Sequence, residues 1–206
     1  MTTYNIRLAT VADSGAMLEI YAPYVRETVI SFEYDPPTLL DFSNRVANIL
    51  EHYPWLVAEI DGVIVGYAYA SRYSERAAYQ WSVDASVYIH SGYHRQKIAS
   101  TLYSCLFDLL KLQGFYNVYA GITLSNTTSE QFHTSFGFTR VGVFHHVGYK
   151  FGQWHDVQWM ERSLSEYHSA PSKPQSLAAI IDTPQFIAIL NQARQKLDNP
   201  QETSRP

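Results

Sequence analysis

The segment from Trp81 to Leu110 constrains the fold most, because its hydrophobic periodicity changes from that of a strand to that of a helix. Apolar and polar side chains alternate over Trp81–Ile89, which predicts a strand with one buried face. Near Ile98, apolar residues begin to recur at steps of three and four, which predicts an amphipathic helix. A basic turn, His94–Ala99, joins the two. Such a turn offers unpaired backbone N–H groups, the helix dipole and fixed cations to an anion.

Further strands and shorter helices are predicted on both sides of this segment from alternation, helical spacing and turn residues. Pro23 is expected to end or kink the first helix. The predicted extended pieces are Tyr4–Leu8, Val29–Tyr34, the hairpin of Trp55–Ile60 and Val63–Tyr69, Val118–Thr123, Phe138–Val147 and Val157–Leu164, and the predicted helices are Val11–Ala22, one that the pair Thr38 and Asp41 caps, and Asn126–Phe136.

The composition is that of an ordinary globular chain with a sizeable core: 206 residues, 46% hydrophobic and 17% charged. The net charge of −4 argues against a general binder of nucleic acid or of anionic membranes. The single cysteine, Cys105, lies in the apolar stripe of the long helix and is expected to be a buried hydrophobe rather than a reactive thiol. No segment has the pattern of a signal peptide or a membrane span, so a cytoplasmic protein is expected.

The composition changes after Leu164. Residues 1–164 are predicted to form one domain. Residues 165–206 begin with a stretch rich in Ser and Pro, which is typical of a linker, and continue with a short amphipathic helix that starts at Thr183–Pro184. The last residues, Asn199–Pro206, are expected to be disordered. Three places remain open for the tail helix: against the domain, against a partner subunit, or free of both.

Five segments of the chain carry a resemblance to a known family, and they come in the order of that family. The chain from residue 4 to about residue 164 resembles the GNAT acetyltransferases, and among them the phosphinothricin and methionine sulfoximine acetyltransferases. The basic turn resembles their loop for the acyl-CoA pyrophosphate, but two of three signature positions differ: His94-x-x-Lys97-x-Ala99 replaces Gln/Arg-x-x-Gly-x-Gly/Ala. The other segments are Phe32–Glu33, then Arg72-x-x-Glu75–Arg76-x-x-Tyr79-x-Trp81-x-Val83–Asp84-x-Ser86–Val87–Tyr88, then Asn126-x-x-Ser129-x-x-Phe132–His133-x-x-Phe136–Gly137–Phe138, and Lys150–Phe151–Gly152-x-Trp154-x-Asp156.

The resemblance implies an α/β fold, in which a twisted and mainly antiparallel sheet has flanking helices and one central pair of parallel strands. It also implies a homodimer, and acetyl-CoA as cosubstrate at the point where the two parallel strands separate. The residues that it assigns to acetyl-CoA lie in the strand before the basic turn, in the turn, at the start of the long helix and in the next helix: Val87, Tyr88, Ile89, Arg95, Gln96, Lys97, Ile98, Ala99, Ser100, Asn126 and Ser129.

Transfer of an acetyl group from a thioester to an amine needs a base for the ammonium proton and a proton donor for the leaving thiolate. Asp84 is the candidate base, because a carboxylate in mid-strand is unusual and because the resembled branch carries Glu there. Asp is one methylene shorter, so a water relay is a second option. His133 falls where that branch carries a His to protonate the thiolate, and the alternative is a purely structural hydrogen bond.

The acceptor that the resemblance implies is a small amino acid or an amino-acid analogue. Glu75 and Arg76 suit a zwitterion, because a guanidinium binds a carboxylate or phosphinate and a carboxylate binds an amine. Phe32 and Arg72 are further candidates for the acceptor pocket, and Trp154 is a weaker one. The alternative is that the charged residues form a solvated loop.

Two other functions fit the same sequence. The departures from the family at His94, Lys97 and Asp84 are compatible with a non-catalytic acyl-CoA-binding or regulatory protein. Acetylation of a protein N-terminus or lysine would need an open peptide groove, whereas the aromatic loops favour a small closed pocket. The histidines His145–His146 and His155 match no usual zinc spacing, so no metal is expected.

Overall fold

The computed structural model describes residues 2–198 and consists of one seven-stranded sheet with helices on both faces. The predicted disorder of Asn199–Pro206 lies outside the described residues. The strands are β1 (Tyr4–Leu8), β2 (Trp55–Ile60), β3 (Val63–Arg72), β4 (Ser82–Ile89), β5 (Asn117–Thr123), β6 (Thr139–Lys150) and β7 (Gln153–Ser163), and the helices are α1 (Ser14–Glu27), α2 (Leu39–Leu50), α3 (Ile98–Gln113), α4 (Thr127–Ser135), α5 (Leu177–Ile180) and α6 (Pro184–Asp198).

The strands follow the order β1-β2-β3-β4-β5-β7-β6 across the sheet. Every neighbouring pair is antiparallel except β4 and β5, which run parallel and are connected by α3. The predicted fold class, a mainly antiparallel sheet with one central parallel pair and flanking helices, is therefore confirmed.

The parallel strands β4 and β5 pair over a short distance only. Their partners run from Ser82–Asn117 to Asp84–Tyr119. Beyond Asp84, β4 keeps its antiparallel pairing with β3 as far as Ile89, but its other edge has no partner among the described strands. The two strands therefore separate after Asp84 and leave one backbone edge of β4 open.

Each face of the sheet has its own core, because successive strand residues point to opposite faces. Leu56 and Ala58 of β2 belong to the core that α3, α5 and α6 share, whereas Trp55 and Val57 belong to the core that α1 and α2 cover. In β4, the buried residues Val83 and Ala85 point to the α3 face. Asp84 lies between them in the strand and points to the opposite face.

The sequence predicted that α1 would end or kink at Pro23, and the structure shows that the helix does not end there but continues to Glu27. A proline in a helix removes one backbone hydrogen bond and disturbs the preceding turn. Ile20 and Val25, which flank Pro23, are both buried against the sheet, and this packing keeps the helix continuous.

The segment Val29–Tyr34 is not a strand, because side chains bind its backbone in place of a neighbouring strand. The hydroxyl of Thr123 donates to the carbonyl of Val29 at 2.7 Å. The ammonium of Lys150 is buried and donates to the carbonyls of Ser31 at 2.7 Å, Thr28 at 2.9 Å and Val25 at 2.6 Å. Lys150 of β6 therefore fixes both the end of α1 and the loop that leads to α2.

The tail packs against the body of the protein, which decides among the three places left open for its helix. α6 contacts α3 and β1, and the Arg194 guanidinium donates to the carbonyl of Ile6 at 3.0 Å. The buried side chains of α5 and α6 join the α3 core: Leu177, Ile180, Phe186, Leu190, Ala193 and Leu197.

Candidate active site

Asp84 has surroundings that are unusual for a carboxylate. It sits on β4 beside Ser71 of β3 and Tyr119 of β5. Its Oδ1 atom is buried and has no hydrogen-bond partner in the described part of the protein. Burial raises the pKa of the carboxyl from its ordinary 3.8 to about 7. A carboxylate of this kind fits a general base, which is most effective when its pKa lies near the working pH.

A cleft of about 600 Å³ opens where β4 and β5 separate. Its walls come from the second half of β4, the basic turn, the first residues of α3, and α4. His133 lines this cleft together with every residue that the sequence analysis assigned to acetyl-CoA: Val87, Tyr88, Ile89, Arg95, Gln96, Lys97, Ile98, Ala99, Ser100, Asn126 and Ser129.

The basic turn has backbone angles that normally require glycine. Lys97 has φ 61° and ψ 5°, and Arg95 has φ 62°. In this left-handed region a Cβ is strained, at a cost of about 1–2 kcal/mol per residue. Lys97 therefore holds a strained backbone conformation at the position where the family signature has Gly. It immediately precedes Ile98, the first residue of α3, so the N–H groups of the first helical turn, which have no partner within the helix, lie at the cleft.

His133 is buried in the cleft wall and contacts the hydroxyl of Tyr103. Its Nδ1 atom lies 2.8 Å from the carbonyl of Ser129, so Nδ1 carries a proton and donates it. Burial lowers the pKa of His133, which leaves the ring neutral and Nε2 an acceptor. Nε2 lies 3.2 Å from the Tyr103 hydroxyl. The same hydroxyl lies 3.3 Å from the carbonyl of Ala85, where β4 and β5 begin to separate.

Tyr103 is the site residue that the sequence analysis missed. It is fully buried, and burial raises the pKa of its hydroxyl, so the hydroxyl stays protonated and donates its single hydrogen to Nε2 of His133 or to the carbonyl of Ala85 at the cleft. Its place among the buried residues of α3 made it look like a core residue. The available signal was its hydroxyl, because a buried tyrosine normally places that group against a polar partner.

A second cavity, of about 310 Å³, contains three of the residues predicted to bind the acceptor: Arg72, Glu75 and Arg76. It shares no lining residue with the cleft. Ser82 lines the second cavity and Ala85 lines the cleft, so Asp84 lies on β4 between the two.

Two of the charged side chains in this cavity pair with each other, and a third does not. Arg72 forms an ion pair with Glu75. The Arg76 guanidinium has neither an ion pair nor a hydrogen bond within residues 2–198. Arg76 is therefore the cation of this cavity that is available to an anion.

Phe32, the fourth residue predicted to bind the acceptor, lines neither cavity. Its ring packs against Gly148 of β6, where a Cβ would approach the ring to 2.2 Å, and its centroid lies 6.1 Å from that of His155. The structure therefore does not bring Phe32 together with the residues of the second cavity. Trp154 is 60% exposed and packs edge-on against Tyr149.

Residues 2–198 contain no cluster of three or more His, Cys, Asp or Glu side chains arranged to hold a metal ion. His145 instead binds Asp156, with 2.8 Å between Nδ1 and Oδ2. Cys105 is buried, as predicted, and burial raises the pKa of its thiol to about 12. In the same part of the chain, no helix has the length and apolar character needed to cross a membrane.

The sequence also matches a known domain family over most of its length. Residues 6–159 match the acetyltransferase (GNAT) domain family. The chain belongs to the GNAT acetyltransferases. A GNAT relative, phosphinothricin N-acetyltransferase of Streptomyces viridochromogenes, is 37% identical over 82% of this chain and 92% of its own length. The L-methionine sulfoximine/L-methionine sulfone acetyltransferase of Salmonella typhimurium is 35% identical over 81% of this chain and 98% of its own length.

Solved GNAT structures share the fold. A phosphinothricin acetyltransferase from Sinorhizobium meliloti, in complex with acetyl-CoA, has a TM-score of 0.78 and 32% identity over 82% of this chain and 94% of its own. An acetyltransferase from Salmonella typhimurium, with its cofactor acetyl-CoA, has a TM-score of 0.77 and 32% identity over 82% of this chain and 98% of its own. The family predicted from five short segments is therefore confirmed over the whole GNAT domain.

Proposed function

We propose that this GNAT protein transfers the acetyl group of acetyl-CoA directly to the amino group of a small amino acid or amino-acid analogue, of the phosphinothricin or methionine sulfoximine type. The observation that carries the proposal is the position of Asp84. Its unpartnered carboxylate, with a pKa near 7, lies where β4 and β5 separate, between the cleft and the cavity of Arg76. Relatives with both substrate names, at 37% and 35% identity, support the acceptor class.

The residues of the cleft fit the parts of acetyl-CoA. The open edge of β4 at Val87–Ile89 suits the pantetheine arm, whose amides can pair with it as an added strand. Arg95, Lys97 and the first N–H groups of α3 suit the pyrophosphate, which combines negative charge with hydrogen-bond acceptors. Asn126 and Ser129 of the opposite wall complete this assignment.

In the proposed reaction Asp84, directly or through a water, removes a proton from the acceptor ammonium. The amine nitrogen then bonds to the thioester carbonyl carbon, the carbon–sulfur bond breaks, and CoA leaves as a thiolate. We assign the hydrogen bond to this thiolate to Tyr103, because its hydroxyl is protonated and lines the cleft. To form this bond, the hydroxyl turns its single hydrogen away from Nε2 of His133 and the carbonyl of Ala85 and toward the sulfur. His133, which the sequence analysis assigned to protonate the thiolate, is neutral and holds the Tyr103 hydroxyl in position.

The acceptor's anionic group is assigned to Arg76, and the ion pair of Arg72 and Glu75 forms the neighbouring wall. Ser82 lines the cavity that contains Arg76 and lies two residues before Asp84. The side chains of Ser82 and Asp84 point to the same face of β4, about 7 Å apart. We infer that an acid group held at Arg76 directs the amine toward Asp84, although Asp84 itself lines neither cavity. Phe32 lines neither cavity, so the proposal gives it no contact with the acceptor.

The proposal includes a homodimer in the cytoplasm. β6 is an edge strand of the sheet, and the hairpin of β6 and β7 exposes six large apolar side chains. A second copy is the proposed partner, and light scattering tests it through the molar mass in solution. The exposed apolar residues of the hairpin are Val141, Phe144, Val147, Tyr149, Phe151 and Trp154.

A test of the proposed activity follows thiol release after the protein is mixed with acetyl-CoA and each member of an amino-acid panel that includes phosphinothricin, methionine sulfoximine and methionine sulfone. The expected result is release that requires both the protein and one of these amines. Acetyl-CoA binding without thiol release would instead support the non-catalytic acyl-CoA-binding protein. Ranking the panel by kcat/KM identifies the preferred acceptor.

A further inference from the structure

The second cavity is closed on one side by a segment that lies beyond the family match. Residues 6–159 match the GNAT domain, and the wall comes from Pro174, Gln175 and Ser176 of the tail. The opposite wall carries Arg72 and Arg76 of the β3–β4 loop. The tail therefore contributes to the cavity in which the proposed function places the acceptor's acid group.

This wall is fixed to the elements that form the rest of the cavity. The indole N–H of Trp81, just before β4, donates to the carbonyl of Ser172 at 2.7 Å. Gln113, at the end of α3, forms two hydrogen bonds with the backbone of Gln175. The carbonyl of Gln113 accepts from the N–H of Gln175 at 2.7 Å, and the side-chain amide of Gln113 donates to the carbonyl of Gln175 at 2.9 Å. The same amide also donates to the carbonyl of His52, which lines the cavity.

The wall is also held from its far end. Leu177, the residue that follows Ser176, is buried and begins α5, and α5 and α6 belong to the α3 core. Ser176 caps α5 by accepting a hydrogen bond from the N–H of Ala179. A segment that is bound on both sides and followed by a buried helix stays in place when a ligand enters.

The volume of the cavity limits the size of the acceptor that the wall admits. At about 310 Å³ it lies at the lower end of the usual range for ligand pockets, about 300–1,000 Å³, which is enough for a single amino acid. A free amino acid ends in a carboxylate, which a guanidinium binds well. A peptide continues at that point with an amide and further residues, which need more space than a cavity of this volume provides.

We propose that the tail segment Pro174–Ser176 is a specificity wall, which limits the acceptor to free amino acids and excludes amines that continue as a polypeptide. This inference rests on the proposed function, because it takes the second cavity to be the acceptor site. The wall side chains are uncharged, so the selection is made by shape on this side and by Arg76 on the other.

The test compares a wall variant with a matched control. The wall variant is Pro174→Gly with Gln175→Gly, which keeps the backbone hydrogen bonds of the segment and removes the side chains that line the cavity. The control is Pro171→Gly with Lys173→Gly, which makes the same kinds of change at positions that do not line it. The measured quantity is kcat/KM for the preferred amino acid of the panel, divided by kcat/KM for a dipeptide that begins with the same residue.

The wall variant is expected to lower this ratio about tenfold or more, a change typical of a reshaped specificity pocket, while the control and the KM for acetyl-CoA stay unchanged. An unchanged ratio in a folded wall variant, or an equal change in the control, would overturn the inference. If the wall variant does not fold, Trp81→Phe provides the same test, because it frees the carbonyl of Ser172 without altering the cavity lining. No thiol release by the wild-type protein with any amino acid would overturn the proposed function itself.

Discussion

Replacing Asp84 with Asn is expected to have opposite effects on activity and on stability. The amide cannot accept the ammonium proton, so kcat should fall by about 10²–10⁴-fold at pH 8, which is the usual contribution of a positioned general base. Acetyl-CoA affinity should stay unchanged, because Asp84 does not line the cleft. The same substitution should make the folded protein more stable at that pH.

The gain in stability follows from the pKa of Asp84. Burial raises that pKa from 3.8 to about 7, which corresponds to a penalty of about 4 kcal/mol for the ionised form in the folded state. Between these two pH values the folded protein binds more protons than the unfolded chain, so stability falls as pH rises, and the penalty is complete above pH 7. Burial of the neutral acid and burial of the amide cost about the same, so the substitution relieves most of this penalty. We therefore expect Asp84→Asn to raise the free energy of unfolding by about 3–4 kcal/mol at pH 8 and by only about 1–2 kcal/mol at pH 5.

The measurements are initial rates of thiol release from pH 5 to pH 9 and urea unfolding at pH 5 and pH 8. Wild-type kcat should rise with pH and level off above about pH 7, as the carboxyl loses its proton. Asp182→Asn is the matched control, because it changes an exposed carboxylate that lines neither cavity. Near-normal turnover of Asp84→Asn at pH 7 would remove Asp84 from the mechanism, and unchanged stability at pH 8 would contradict the effect of burial.

The remaining predictions concern the basic turn, the tail, the α1–α2 loop and the second cavity. Lys97→Ala should weaken acetyl-CoA binding as measured by calorimetry, and the loss of affinity should be smaller at high salt, because salt screens a charge contact. Lys97→Gly should bind acetyl-CoA no worse than Lys97→Ala, since glycine relieves the left-handed strain. An unchanged dissociation constant for Lys97→Ala at low salt would contradict this. Truncation after Glu166 should abolish folding, as measured by circular dichroism, because it removes buried side chains that contribute about 1.5–3 kcal/mol each. An active truncated protein would refute the tail's role in the core. Lys150→Met should lower the free energy of unfolding by about 3 kcal/mol or more in urea titrations, because three buried carbonyls lose a charged donor; a loss below about 1 kcal/mol would mean that water replaces it. Arg76→Ala should raise KM for the amino acid more than KM for acetyl-CoA, and equal effects would indicate a role in folding instead.

The parts of the fold that periodicity determines were predictable from the sequence. The alternation before the basic turn placed both limits of β4 within a residue of those observed, and the spacing after it placed the start of α3 at Ile98. The turn between them follows from the same change of period, and this explains why the residues from Val87 to Ser100 that were assigned to acetyl-CoA line one cleft.

Features that depend on distant contacts were not predictable. α1 continues through Pro23 because its neighbours pack on the sheet, and the loop after α1 is shaped by Lys150, which is far away in the sequence. The tail helix had an apolar stripe, but the stripe alone did not say that α3 would cover it.

The candidate site was predictable where its residues form a motif, and less so where they meet through packing. The sequence identified Asp84 as a carboxylate in mid-strand. It did not predict that Oδ1 would be buried without a hydrogen-bond partner or that the pKa would be raised, because both depend on the folded surroundings. Tyr103 looked like a core residue in the sequence, and its contact with His133 at the cleft is visible only in the folded structure. The separation of Phe32 from Arg76 also required the folded structure, because a shared family motif does not say which cavity a side chain lines.

The most direct test of the central claim is the mass of the acceptor after reaction. The protein is incubated with acetyl-CoA and the preferred amino acid of the panel, and the products are analysed by mass spectrometry, with Asp84→Asn as the comparison. The account predicts an amino acid that carries one additional acetyl group on its amine, one free CoA for each acetyl transferred, and no acetyl group on the protein. An acetylated protein that passes its acetyl group to the amine, or no acetylated amino acid at all, would contradict direct transfer at Asp84.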